Sequence, residues 1–123
     1  MSYELSQRFY FDAAHTLQRS IDADSSKRIH GHTYHAEVYL QGTPDPATGM
    51  VIDLGLVRRA IAELRATLDH AFLDEVPGLA PATLENLCRF ILERLAPALP
   101  ALSGVRVWRD STGDGCMLRR LPD

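Results

Sequence analysis

From Thr33 to Gln41 polar and apolar residues take turns, with Tyr34, Ala36, Val38 and Leu40 on the even positions and Thr33, His35, Glu37, Tyr39 and Gln41 on the odd ones. A period of two belongs to a β-strand with one face on a core and one toward water. The chain must therefore build a sheet that is packed on one side. Extending the even series backwards places His32 and His30 on the apolar face, with Gly31 turned away. A bare imidazole there is costly unless it is hydrogen-bonded or ligating. Two rings two residues apart on one face can also meet a single ion. His35 falls on the polar side and reads as a surface or supporting residue.

Tyr3 to Asp12 reads as a second strand, close enough in sequence to lie beside the first. It leads into Phe11-Asp12-Ala13-Ala14-His15, so His15 becomes the candidate third nitrogen. Three neutral imidazoles suit zinc and leave its fourth tetrahedral position open, the pattern of a catalytic site. The turn Gly42-Thr43-Pro44-Asp45-Pro46 ends the His32–Gln41 strand. From Asp53, a good N-cap, the spacing of Leu54, Val57, Ile61, Leu64 and Leu68 predicts an amphipathic helix ending near Asp69-His70. After Pro77-Gly78 and Pro81, a second helix carries Leu84, Leu87, Cys88, Ile91 and Leu95 and runs to about Ala96, before Pro97 and Pro100. Val105 to Trp108 and Cys116 to Leu121 read as closing strands around a Ser-Thr-Gly-Asp-Gly turn. The expected order is ββααββ, an α+β fold in one domain over residues 1–123. Open sheet edges favour a homo-oligomer that pairs sheets between subunits.

A hydrophobic fraction of 46% over 123 residues supports a real core. The net charge of −3 and the lack of any Lys/Arg run argue against a nucleic-acid partner. No apolar stretch reaches membrane-spanning length, and the first residues lack the character of a signal peptide, so the expectation is a cytoplasmic protein with no membrane partner. Cys88 and Cys116 have no metal-knuckle or redox spacing and read as reduced, structural thiols.

Several motifs together carry a family resemblance: Phe11-Asp12-Ala13-Ala14-His15, Arg28-Ile29-His30-Gly31-His32, Gly49-Met50-Val51-Ile52-Asp53, Leu68-Asp69-His70, Pro77-Gly78-Leu79 and Thr83-Leu84-Glu85-Asn86. With them the chain resembles the 6-pyruvoyltetrahydropterin synthase superfamily, most closely its bacterial 6-carboxytetrahydropterin synthase branch, which acts in queuosine biosynthesis. The resemblance implies the tunnelling fold (T-fold), an antiparallel sheet assembled into an oligomeric barrel within a homohexamer, with active sites at subunit interfaces. It implies Zn2+ on His15, His30 and His32, a small-molecule pterin substrate, and Asp69-His70 as the proton relay. Read from the residues alone, His70 would instead stabilise a helix C-terminus. Thr83 matches a position near the pterin, and its alternative reading is a helix cap.

The chain departs from the family at two places. The catalytic cysteine stands four residues before the first histidine of His-Gly-His in the queuosine branch, which is Ser26 here, and six before it in the pyruvoyl-type enzymes, which is Asp24. A serine is far less acidic than a thiol and is a poor base unless activated. Asp24, or Asp22, offers a substitute carboxylate, although the Ser20 to Lys27 segment also reads as a mobile polar loop. Near the C-terminus the family has a Glu-Thr pair that grips the pterin, and this chain has Val107-Trp108-Arg109-Asp110-Ser111-Thr112. Direct counting puts Arg109 at the glutamate; a shift of one puts Asp110 there. Asp110 is preferred as the ring anchor, because a cation cannot accept the pterin's N–H donors. Arg109 is then a solvated strand-end residue or a partner for phosphate or another acidic group.

Three functions follow as expectations. The first is a zinc-dependent lyase that converts 7,8-dihydroneopterin triphosphate to 6-carboxy-5,6,7,8-tetrahydropterin or a related tetrahydropterin. The second is a divergent paralogue that cleaves the side chain to 6-hydroxymethyl-dihydropterin, the folate branch. The third is a non-catalytic pterin- or purine-binding protein that keeps the zinc pocket.

Overall fold

Two thirteen-residue strands, β1 (Tyr3–His15) and β2 (His30–Gly42), pair antiparallel along their whole length, from Tyr3 against Gly42 to His15 against His30. They belong to a computed structural model that describes residues 1–21 and 23–121, apart from the side chains at 23 and 26. The alternation read from the sequence is realised in β2. Tyr34, Ala36, Val38 and Leu40 are fully buried on one face, and His30 and His32 follow them onto it. β3 (Leu102–Arg109) pairs with β2 and β4 (Asp114–Arg119) with β3, giving a four-stranded antiparallel sheet in the order β1-β2-β3-β4.

Two long helices cover the apolar face. α2 (Leu54–Leu68) starts where the Asp53 carboxylate accepts the Gly55 N–H at 2.8 Å, and it buries Val57, Ile61, Leu64 and Leu68. α3 (Leu84–Leu95) starts at Thr83, whose hydroxyl accepts the Asn86 N–H at 3.1 Å, and it buries Leu87, Cys88, Phe90, Ile91 and Leu95. Phe11 stacks on Tyr34 at 5.2 Å in the middle of the core. The expected α+β architecture is present, with the two predicted caps at the predicted residues.

Some boundaries differ. β1 runs on to His15 and β2 begins at His30, because the backbone ladder continues through Ala13, Ala14 and Gly31, residues with no strand signal of their own. The closing strand β4 has the expected length but starts and ends two residues earlier, at Asp114 and Arg119. The segment read as a polar loop holds a five-residue helix, α1 (Ala23–Lys27), with Asp24 in its first turn and Lys27 in its last, charges that suit the helix dipole. A 3-10 turn, Leu73–Glu75, was not foreseen.

The other sheet face is polar but well filled. Trp108 lies under the guanidinium groups of Arg8 and Arg106, 5.4 and 4.4 Å from its ring, and stacks on His35. Glu37 is buried there, accepting Arg8 Nε at 3.2 Å and the Tyr39 hydroxyl at 2.7 Å. Beyond α2 the chain covers the outer edge of β1: His70 N–H donates to Asp12 O at 2.6 Å, and Ala14 N–H to Ala71 O at 3.0 Å.

Gly104 is the tight point of the β3–β4 ladder. A Cβ there would stand 3.0 Å from the backbone oxygen of Leu118, with the flexible Met117 Cε at 2.7 Å having to swing aside, whereas a Cβ on Gly31 would meet Ala13 O at an ordinary 3.6 Å. Gly104→Ala should therefore lower stability by about 1–3 kcal/mol in urea denaturation, with Gly31→Ala within roughly 0.5 kcal/mol of wild type.

Candidate metal centre and its cavity

The register that sets His15 opposite His30 brings three rings together at the end of the β1–β2 ladder. Their centroids are 4.5 Å (His15–His30), 4.9 Å (His15–His32) and 4.9 Å (His30–His32) apart. One ligand nitrogen from each lies within 4.8 Å of the others. His15 is fully buried, and its Nδ1 lies 3.0 Å from Ala82 O. His30 Nδ1 lies 2.8 Å from Arg28 O. A carbonyl can only accept, so both rings carry their hydrogen on Nδ1 and present the Nε2 lone pair. His15 Nε2 is buried with no hydrogen-bond partner among the described residues. An unmade buried acceptor aimed at two other imidazoles is what a metal ligand without its ion looks like, so the donor set fits the zinc expected from the sequence. The strand end is also pinned from below, because Asp74 accepts the Thr16 N–H at 3.0 Å and also contacts its hydroxyl.

The electrostatics favour the neutral form of His15 and His32, as ligation requires. Burial lowers the pKa of His15. Burial and then the Arg109 guanidinium lower that of His32 to about 4.

Arg109 is the residue that the sequence placed least well. It faces inward at the end of β3, only 6% exposed, rather than solvated. Its Nε and Nη2 donate to the two Asp114 oxygens at 2.9 and 2.6 Å, and its Nη1 stands 3.5 Å from His32 Nε2. Asp114 also accepts the Thr112 hydroxyl at 2.7 Å, and these bonds hold its pKa down to about 2. A cavity of about 350 Å3 runs from His30 and His32 to Arg109, Thr112 and Asp114, with Arg19 and Ser25 on its walls. Tyr34 is buried close behind it. Burial pushes its hydroxyl pKa up to about 12. Asp114 was not singled out in the sequence. The signal available was its place across a tight hairpin from Arg109.

The remaining candidates lie elsewhere. Asp110 is exposed on the opposite face and pairs with His35 at 3.2 Å, so within one chain it does not reach the histidine cavity. Asp69 caps the end of α2 and accepts the Asp12 N–H at 3.0 Å. That bond, with Arg65 nearby, lowers its pKa. Its other oxygen is 3.4 Å from Arg65 Nη2 and 3.8 Å from His70 Nε2. His70 is largely exposed and has a left-handed backbone (φ 59°). Asp12, Asp69 and His70 form a separate cluster, and with Thr33, whose hydroxyl bonds Asp12, they lie on the side of β1–β2 away from the three histidines. Thr83 caps α3, the alternative reading of this residue, and it lines the neighbouring cavity with Leu17, Arg19 and Arg109. Asp24 is exposed on α1, and its neighbour Ser25 reaches the cavity wall. The Ser26 side chain and Asp22 lie outside the described residues. Neither cysteine lines the histidine cavity. Cys88 is buried, and burial pushes its thiol up to about 12, which leaves no thiolate at neutral pH.

The family model described as 6-pyruvoyl tetrahydropterin synthase matches residues 4–120. This chain belongs to the 6-pyruvoyl tetrahydropterin synthase family. A 6-pyruvoyl tetrahydrobiopterin synthase of Pongo abelii is 34% identical over 111 residues, 79% of this chain and 77% of its own length. A 6-carboxy-5,6,7,8-tetrahydropterin synthase of Synechocystis is 31% identical over 112 residues, covering 86% and 85%. A dihydroneopterin monophosphate aldolase of Pyrococcus furiosus is 29% identical over 100 residues, 81% of each. Among solved structures, the 6-pyruvoyl tetrahydropterin synthase of Caenorhabditis elegans superposes with a TM-score of 0.83 over 98% of this chain and 97% of that one, at 23% identity. The fold is therefore that of the 6-pyruvoyl tetrahydropterin synthase family, a family of enzymes.

The depressed pKa of His32 gives the metal-free protein a pH dependence. The unfolded ring takes its proton near 6.5 and the folded one near 4. Stability should fall between these values as pH drops; above them this group has no effect, and below them its full cost stays constant. Urea midpoints of chelator-treated protein should show a steeper decline across that window than those of His32→Gln.

Proposed function

We propose that this chain is a zinc-dependent pterin lyase acting on 7,8-dihydroneopterin triphosphate, with 6-carboxy-5,6,7,8-tetrahydropterin or a related tetrahydropterin as product. The observation that carries the reading is the buried, unpartnered His15 Nε2 facing two further imidazoles. His15, His30 and His32 would hold the ion. When bound, it lowers the pKa of substrate hydroxyls at neutral pH. The carbonyls of Ala82 and Arg28 fix the orientation of His15 and His30, so the site is set before substrate arrives. Proton movement falls to Asp69 and His70, where the carboxylate lies on the Nε2 side of the imidazole and the ring takes or returns the proton at Nδ1. Within one chain His70 lines a cavity with Asp12, Thr33 and His32. The homo-oligomer that the family resemblance implies, a hexamer with sites between subunits, belongs to this reading and would bring the pair to a neighbour's site. Ser26, at the cysteine position, and Asp24 are the candidate bases, and Thr83 and Asp110 the candidate ring contacts.

A second reading is side-chain cleavage to 6-hydroxymethyl-dihydropterin. It is supported by the similarity to an aldolase and by the exposed Asp24 carboxylate. Product analysis by mass spectrometry on 7,8-dihydroneopterin triphosphate separates the two, and recovery of only unchanged substrate counts against both.

His32→Ala should lose zinc in metal analysis by more than the roughly 10–100-fold affinity drop that follows loss of a supporting partner. Its far-UV circular dichroism should stay unchanged, because the ligands sit on a sheet with its own core. Asp24→Asn should slow turnover at least about tenfold if the carboxylate is the base, and Ser26→Cys should raise it if the missing thiol is what limits the site.

A further inference from the structure

We propose that Arg109 makes the histidine cavity selective for a ligand bearing an anionic oxygen, carboxylate or phosphate, that bridges the bound metal and the guanidinium. The proposal rests on the metal reading above. Arg109 is buried yet lines the same cavity as His30 and His32. A guanidinium has five N–H donors, and Asp114 accepts two of them, from Nε and Nη2. Nη1 is left with the long 3.5 Å approach to His32 Nε2, and the buried Tyr34 hydroxyl, which also approaches the guanidinium, makes no full hydrogen bond to it. Once the His32 lone pair is given to an ion, even that acceptor is gone. A buried cationic donor without an acceptor is costly, so the occupied site needs an oxygen from the ligand.

Where that oxygen lies follows from the same distance. Nη1 stands 3.5 Å from His32 Nε2, so an oxygen accepting from Nη1 would lie in the same cavity as the imidazoles that would hold the ion. Two oxygens on one atom, as in carboxylate or phosphate, can serve both partners at once. An uncharged diol can ligate the ion but gives the guanidinium only a weak neutral acceptor. Asp114 does not spoil this arrangement, because its oxygens are already turned to Arg109 and to the Thr112 hydroxyl. Arg19, on the same wall, adds a second cation.

Cobalt(II)-loaded protein titrated with glycolate, inorganic phosphate and ethylene glycol, followed by the visible spectrum of the ion, tests the proposal. Arg109→Met should weaken glycolate, phosphate or both by about tenfold or more and leave ethylene glycol unchanged, and Arg109→Lys should recover part of the loss. The anion that responds identifies the ligand's chemistry. The double variant Arg109→Met with Asp114→Asn removes both charges, so no carboxylate is left unpaired if the single variant folds poorly. It should show the same selectivity change. Equal losses for all three ligands, or none for either anion, would overturn the proposal while leaving the metal reading intact. A protein that takes up no cobalt would overturn both.

Discussion

The pairing of His15 with His30 is the contact on which the rest of the molecule depends. Strand register has a parity: a slip of one residue would send His30 and His32 to the opposite face and bury Gly31, Thr33 and His35 in their place. The packed series Tyr34, Ala36, Val38 and Leu40 forbids that slip. The same residues that build the core therefore aim the imidazoles. His15 then ties the strand end to the loop before α3 through Ala82 O, so the cluster is braced by tertiary structure as well as by the ladder.

The sheet keeps two chemistries apart. The helix-covered face carries the histidines, Tyr34 and the Arg109–Asp114 pair. The other carries a cation-and-aromatic surface around Trp108, with Asp110 beside His35 and the Asp12–Asp69–His70 group at the β1 edge.

Much of this was legible from residue order. The alternation in β2, the Asp53 cap and the two helical stripes are local signals, and they gave the right elements in the right order. The three histidines were readable because periodicity put two on an apolar face and a neighbouring strand offered the third. The ends of β1 and β2 were less visible, since Ala13, Ala14 and Gly31 are extended only because a partner strand holds them there. Arg109 was misjudged for the same reason. Its neighbours Asp110 and Ser111 look like a solvated strand end, but its burial is decided by a carboxylate across the turn, five residues on. The choice of Asp110 over Arg109 weighed charge, and strand parity decides which of the two faces inward.

Arg109 and Asp114 flank the β3–β4 turn, whereas the three imidazoles come from β1 and β2. The cavity thus draws its nitrogen cluster from one pair of strands and its charged wall from another, joined by the β2–β3 ladder and by the helices packed across them. A change confined to six residues around one turn can rewrite what the pocket accepts and leave the imidazole geometry alone. Such a division lets one scaffold diversify its ligands by editing a hairpin, with no renegotiation of the core.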